Sequence, residues 1–362
     1  MIKFLHAADL HLDSPFHGLK QAEAAARRKE HRQLLTTLAE LADEESCDLM
    51  LLSGDLFDST DMYQETVETL IRALGSCRAR VFLSPGNHDW LCPGSPYLTA
   101  VWPDNVHIFR RQEMEFVDLP ELNCRVYGAG FTAPHAPSLL RGFRVKDRDK
   151  TNLMVLHGDA TTADSPYNAV AKEDVAESGL DYLALGHIHA GSGALTAGST
   201  CYAWPGCPMG RGFDEAGPKG VYLGTIRDHR CDLRFRELPG KRYEELSVTA
   251  GDDPLAAIQA ALTEDTSQWI CRLRLTGPAE RVDVPALHRA LDERFYALTI
   301  RDETEPKADL WAAAGEDSLR GKYLSLLRSA VDEAGPDQRQ ALLLAARLGI
   351  DAMDGREEAV DL

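Results

Sequence analysis

No apolar run in this chain is long enough to cross a membrane. Stretches such as Leu49–Leu52 fall far short of the roughly 20 residues a spanning helix needs. Met1–Phe16 carries Lys3, His6, Asp9, His11 and Asp13, so it lacks the uninterrupted apolar segment of a secretory leader. A cytoplasmic location is the expectation. The eight cysteines (47, 77, 92, 124, 201, 207, 231, 271) include no Cys-x-x-Cys pair, and they read as reduced and structural, neither a disulfide frame nor a zinc ribbon. Positive charge is scarce as well: 57 Asp and Glu face 39 Lys and Arg, a net charge of −18. Residues 1–240 carry 33 acidic and 24 basic side chains and residues 241–362 carry 24 and 15, so neither part is basic. Phosphate binding is driven by Lys and Arg releasing counterions, so any grip on nucleic acid must come from metals, a local basic patch or a partner.

What is present is well organised. Hydrophobic content of 44% and charged content of 27% are those of a globular protein, and 362 residues predict two domains. Lys3–Ala8, Asp48–Ser53 and Val81–Pro85 are short apolar runs bounded by Asp or Gly, which read as buried parallel strands. Leu19–Glu45 and Thr60–Ser76 have helical spacing between them. The resulting strand–helix–strand–helix–strand unit predicts an α/β layer with ligands at the carboxyl ends of its strands. Beyond Asp104, strands are expected at Val106–Phe109, Met114–Leu119, Cys124–Gly128, Asn152–His157, Tyr182–Gly186 and Gly220–Arg227, forming a second sheet packed on the first. Pro239 and Gly240 mark a boundary near Leu238–Lys241. After it, Ile270–Gly277 reads as a strand, and Val284–Phe295, Asp317–Glu333 and Pro336–Asp351 read as helices.

Five short motifs follow one another: Asp9-Leu-His11, Gly54-Asp55, Gly86-Asn87-His88-Asp89, His157-Gly158-Asp159 and Gly186-His187-Ile-His189. They place carboxylate, imidazole and amide groups at the ends of the apolar runs. Asp9 and His11, two apart, share a face. The donor set holds no thiolate, which favours Mn²⁺, Fe²⁺ or Zn²⁺ in a catalytic site over a structural zinc knot. A single Asp-x-His says little, but five motifs in order supply the ligands for two metals side by side, an arrangement suited to in-line attack on phosphorus. His6 and Asp13 are expected to hydrogen-bond within their loop and Asp159 to serve as a hydrogen-bond support; Asp58 either supports a metal ligand from behind or caps the helix at Ser59–Thr60, the cap being favoured. Arg141, Arg144, Lys146, Arg148 and Lys150 form either a solvated loop offset by Asp147 and Asp149 or a phosphate contact. Arg211 either contacts substrate or closes a tight loop. Trp90 and Trp204 either stack a base or lie over the core.

The segments His6-Ala-Ala-Asp9-Leu-His11-Leu-Asp13-Ser-Pro-Phe16, Gly54-Asp55-Leu-Phe-Asp58 and Pro205-Gly206-Cys-Pro-Met-Gly210-Arg211-Gly212-Phe213-Asp214-Glu215 carry a family resemblance. The chain resembles the calcineurin-like metallophosphoesterases and, within them, the SbcD-like DNA repair exonucleases of the YhaO-type branch. The resemblance implies a four-layer α/β/β/α metallophosphoesterase sandwich with a smaller C-terminal α+β capping domain. It places a metallophosphoesterase (nuclease) domain at 1–240, a capping or substrate domain at 241–316 and C-terminal helices for partner docking at 317–362. It implies two divalent metal ions, Mn²⁺ first, with Fe²⁺ and Zn²⁺ as alternatives. Metal one would be held by Asp9, His11, bridging Asp55 and His189; metal two by Asp55, Asn87, His157 and His187. His88 would stabilise developing charge or protonate the leaving oxygen, with Asp89 orienting its imidazole. Implied partners are DNA, a coiled-coil ABC ATPase of the SbcC/YhaN type docked through the C-terminal helices, and a second copy meeting Thr60–Ser76. The expected function is the DNA exo/endonuclease subunit of an SbcCD-like repair complex. Its rivals are a phosphodiesterase or phosphatase for nucleotides or small esters, and a largely non-catalytic assembly partner. The acidic balance favours the rivals; the C-terminal third favours the nuclease.

Overall fold

Alternation along the strands sets the layers of the computed structural model, which describes residues 1–16, 21–279, 282–306 and 310–353. The chain divides into two compact units, Met1–Glu244 and Glu245–Leu362. The first contains β1 (Ile2–Ala7), α1 (Gln21–Glu44), β2 (Leu49–Leu52), α2 (Gln64–Ser76), β3 (Arg80–Leu83), α3 (Pro96–Thr99) and β4 (Val106–Ile108). There follow β5 (Glu115–Leu119), β6 (Cys124–Gly128), β7 (Thr151–His157), α4 (Lys172–Ser178), β8 (Tyr182–Gly186), β9 (Leu195–Ala197), β10 (Thr200–Ala203), β11 (Gly220–Arg227) and β12 (Arg230–Glu237). Two six-stranded sheets result, ordered β12-β11-β1-β2-β3-β4 and β5-β6-β7-β8-β10-β9. The runs β1 to β4 and β6, β7, β8 and β10 pair in parallel.

Each central strand is apolar on both faces, as a doubly covered sheet requires. Phe4, Leu49, Leu51 and Phe82 of one sheet share a core with Val126, Leu153, Val155, Tyr182 and Ala184 of the other. The intervening residues Leu5, Met50, Leu52, Val81 and Leu83 turn outward onto Leu34, Leu35, Leu38 and Leu41 of α1 and Leu70 and Leu74 of α2. On the far side, Met154, Leu156, Leu183 and Leu185 pack with Val175 of α4. The order is helix, sheet, sheet, helix. Burial of this kind contributes about 25 cal/mol per Å² of apolar surface and is the main stabilising term.

Polar side chains at the sheet ends have fixed tasks. His6 is not a loop residue: it is fully buried between the sheets, with Nδ1 2.8 Å from Tyr182 Oη and Nε2 3.0 Å from Leu185 O and Ser53 Oγ. Asp13 caps α2 from outside its own loop, accepting from Tyr63 N at 2.9 Å and Thr66 Oγ1 at 2.6 Å. That helix begins at Gln64, so Asp58 does not cap it. Leu19 and Lys20, at the expected start of α1, lie outside the described residues.

The second unit continues β13 (Arg242–Thr249) into α5 (Pro254–Ala261), β14 (Trp269–Thr276), β15 (Pro278–Ala279), α6 (Val284–Leu291), β16 (Ala297–Asp302), β17 (Glu305–Pro306), α7 (Leu319–Glu333) and α8 (Pro336–Met353). Its three-stranded sheet is ordered β13-β14-β16, and Leu273, Leu275, Ile258, Leu287 and Leu291 form its own core. Asp253, Asp283 and Ser318 cap α5, α6 and α7 by accepting from Ala256 N, Ala286 N and Gly321 N. Tyr323 Oη donates to Ala345 O at 2.6 Å and ties α7 to α8. Among the described residues no helix is long and apolar enough to cross a membrane.

Candidate metal centre

Parallel strands deliver their carboxyl ends to one pole, so β1, β2, β3, β7 and β8 carry all five motifs to the same place. Two groups of donors form there, Asp9/His11/His189 and Asp55/His157/His187, and a third, His11/Asp58/His88, adjoins them. Asn87 lies with the second: its Oδ1 is 2.9 Å from His157 Nε2 and 3.1 Å from His187 Nδ1. Asp9, His11, Asp55 and His187 all have positive φ, between 46° and 98°. Non-glycine residues rarely hold that conformation, and strain of this kind clusters at functional sites. It is held by cross-links: Asp9 N and His11 N donate to Gly54 O and Asp55 O, while His187 N and His88 N donate to the carboxylates of Asp9 and Asp55. Gly86 is required for close approach, since a Cβ there would stand 2.1 Å from Asp55 Oδ1.

The donor atoms fit divalent cations. His11 Nδ1 donates to Asp58 Oδ1 at 3.1 Å and His189 Nδ1 donates to Glu215 Oε1 at 2.7 Å. With both Nδ1 protons committed outward, the Nε2 atoms face each other at 3.1 Å; burial disfavours the charged form of His189, but the Glu215 carboxylate outweighs it and raises that imidazole above its ordinary value. Two acceptors converging beside the buried Asp9 carboxylate are what a cation between them would satisfy. His157 Nδ1 lies 3.0 Å from Ser53 O, a backbone acceptor that fixes its ring, and Nε2 points at Asp55 Oδ2, 3.3 Å away.

Burial dominates the electrostatics. It raises Asp9 to about 6 and lowers His11 and His187 to about 4, so those imidazoles stay neutral and ready to coordinate. Burial also opposes ionisation of Asp55, but the facing His157 outweighs it and holds Asp55 well below the usual carboxylate range. His157 is the mirror case: burial lowers it, the Asp55 carboxylate prevails, and it rises to about 9. Cation binding there must displace a proton.

Among the supporting residues, Asp89 departs from its expected role. Asp89 does not touch the imidazole of His88. It is fully buried and accepts from Gly86 N, Leu56 N and Tyr97 Oη at 2.7, 2.8 and 2.5 Å, clamping the two ligand loops together. The His88 ring is oriented by Asp58 O, 2.9 Å from its Nδ1. Arg211 is committed to ion pairs, giving Nη1 to Asp58 Oδ1 at 2.8 Å and Nη2 to Glu215 Oε1 at 2.6 Å. Arg144 pairs with Glu177 near the end of α4, which precedes the start of β8 and therefore lies at the opposite pole. Arg141 is exposed and enters neither donor group. Trp204 is buried and donates Nε1 to Ala190 O, a core role. Asp159 accepts from Thr161 and Thr162 within its own turn. Glu215 was missed by sequence reasoning, although its place four residues after Arg211, within a glycine-rich loop, was the available signal.

A four-layer sandwich with paired His/Asp clusters at its carboxyl pole defines an α/β phosphoesterase of the metal-dependent class. The profile of the calcineurin-like phosphoesterase family matches residues 2–191, and the chain belongs to that family. It is 30% identical over 344 residues to the uncharacterised metallophosphoesterase YhaO of Bacillus subtilis, covering 89% of this chain and 83% of that one. It is also 30% identical over 225 residues to the DNA double-strand break repair protein Mre11 of Aeropyrum pernix, covering 57% of this chain and 53% of that one. Among solved structures, a dimetal phosphatase from Danio rerio is similar at 12% identity and a TM-score of 0.45, over 65% of this chain and 96% of that one. Family and donor clusters together imply divalent metals at this pole.

Proposed function

We propose that the chain is a two-metal phosphodiesterase acting on DNA, the nuclease subunit of an SbcCD-like assembly. One cation is assigned to Asp9, His11, Asp55 and His189, the other to Asp55, Asn87, His157 and His187, with Mn²⁺ the first choice. The observation that carries the hydrolytic reading is the pair of His11 and His189 Nε2 atoms converging at 3.1 Å beside a buried carboxylate. When bound, paired cations neutralise phosphoryl charge and generate a nucleophile from water at neutral pH. The residues do the rest. The outward carboxylates of Asp58 and Glu215 hold two imidazoles in the coordinating tautomer. His88 donates its Nδ1–H to Asp58 O, and as the imidazolium its Nε2–H would supply the proton to the leaving oxygen, its ring edge-on to His11 at 4.8 Å.

The choice of DNA is supported by the relative named as a double-strand break repair protein. A coiled-coil ATPase is the proposed partner because the net charge of −18 leaves DNA binding to another subunit. Its proposed seat is α7 and α8, which expose Leu319, Leu326 and Leu344, and a second copy is proposed to meet α2. The same negative charge favours the second reading, a hydrolase of nucleotides or small diesters.

One assay separates the two: purified chain with Mn²⁺ on linear DNA, with and without its ATPase, beside bis-p-nitrophenyl phosphate and cyclic nucleotides. The nuclease reading expects DNA degradation; turnover of small diesters alone overturns it. His88→Ala is expected to abolish hydrolysis of every substrate while retaining about two metals per chain.

A further inference from the structure

Beside the metal pole lies a small open cavity of about 230 Å³. Its wall includes His189, Pro205, Pro218, Lys219, Tyr222 and Phe235. In a chain with 57 acidic residues, none among the described residues lines it. Lys219, half-buried, accepts from Leu238 N through its carbonyl, while its ammonium has no hydrogen bond or ion pair among the described residues. Phe235 is 43% exposed on the edge strand β12 and stands edge-on to Tyr222 at 5.9 Å. Tyr222 is held in turn by Gly193 N, which donates to its Oη at 2.7 Å. Another open cavity has the opposite character. There Lys3, Glu45, Asp232 and Arg234 mix both signs, and Arg234 already pairs with Glu45.

We propose that the cavity beside His189 is a nucleotide subsite: Phe235 takes the base next to the scissile phosphate, and Lys219 takes the following phosphate. His189 belongs to both the cavity wall and the Asp9/His11/His189 cluster, so a phosphate at the metals and a nucleoside in the cavity form one continuous ligand. An uncompensated ammonium beside an exposed aromatic ring, without any carboxylate, is the combination that recognises a phosphate and a base. The inference rests on the phosphoesterase reading and adds to it the two residues that hold the nucleotide beside the scissile phosphate.

The test is calorimetry on the full chain loaded with Mn²⁺. The probes are inorganic phosphate, ribose 5-phosphate, thymidine 5′-monophosphate and thymidine 3′,5′-bisphosphate. Affinity is expected to rise about tenfold from phosphate to the monophosphate and again to the bisphosphate. Phe235→Ala should remove the first gain and Lys219→Ala the second, with phosphate binding unchanged. Ribose 5-phosphate that matches the nucleoside monophosphate overturns the role of Phe235. Wild-type affinities in both variants, or equal affinity of wild type for all four probes, overturn the subsite. A wild-type chain that binds none of them overturns the phosphoesterase reading itself.

Discussion

Arg211 shows how one side chain can support two candidate metal ligands at once. Its guanidinium joins Asp58 and Glu215, and those two carboxylates hold His11 and His189. Both imidazoles belong to one donor group, whereas His157 of the other is held by the backbone carbonyl of Ser53. The dependence is therefore asymmetric. Arg211→Gln is expected to weaken one cation about 10- to 100-fold and spare the other, so metal content measured by mass spectrometry falls from about two toward one per chain. Arg211→Lys should fail to rescue it, because a point charge cannot bridge two carboxylates in a fork. Two tightly held metals in Arg211→Gln would remove the cross-link from the account. Sequence spacing exposed Arg211 as a candidate, but two acceptors arriving from residues 58 and 215 could not be read from it.

At the level of elements, α1 carries a pH-dependent load. His31 lies on its buried face with neither ring nitrogen hydrogen-bonded among the described residues, packed against Phe16 at 5.5 Å. Burial, reinforced by the Arg27 charge, lowers it from 6.5 to about 3. The native ring stays neutral where the unfolded chain takes up a proton, so its contribution to stability is full above about pH 6.5 and is lost as pH falls toward 3. Each pH unit in that window costs about 1.4 kcal/mol. Urea unfolding at pH 6.5 and 5 should therefore show His31→Leu losing about 2 kcal/mol less than wild type between the two. Parallel slopes would contradict the assignment. The elements themselves were largely legible. Strands β1 to β3 and β6 to β8 follow the apolar runs, because burial on both faces leaves a continuous hydrophobic signal, whereas β4 and β11, expected in the second sheet, extend the two sides of the first. Strand β12 (Arg-Cys-Asp-Leu-Arg-Phe-Arg-Glu) escaped notice, since an exposed edge strand has no such run to betray it.

For the whole molecule, the assigned ligands come from both sheets: Asp9, His11, Asp55 and Asn87 from one, His157, His187 and His189 from the other. Cations at that pole would fasten the sandwich and leave the separate core of residues 245–362 untouched. At a hundredfold excess over the dissociation constant, a site occupied only in the native state stabilises by about 2.7 kcal/mol. Scanning calorimetry should show chelator lowering the transition of the first unit by several degrees and restoring it on adding back Mn²⁺, with the transition of the second unit unmoved. A chelator effect on both transitions alike would contradict a site confined to the first.

The order of motifs determined the family and the donor inventory, because ligands at the ends of parallel strands must recur after each apolar run. Local sequence also determined the alternating strand faces and the caps of α5, α6 and α7. The tertiary structure alone decided which support serves which ligand. Asp89 turned inward to bind backbone amides, Asp58 passed from an expected cap to the partner of His11, and Lys219 and Phe235 met across a cavity beside His189. Those roles depend on contacts between residues far apart in the chain, and no local pattern encodes a long-range distance.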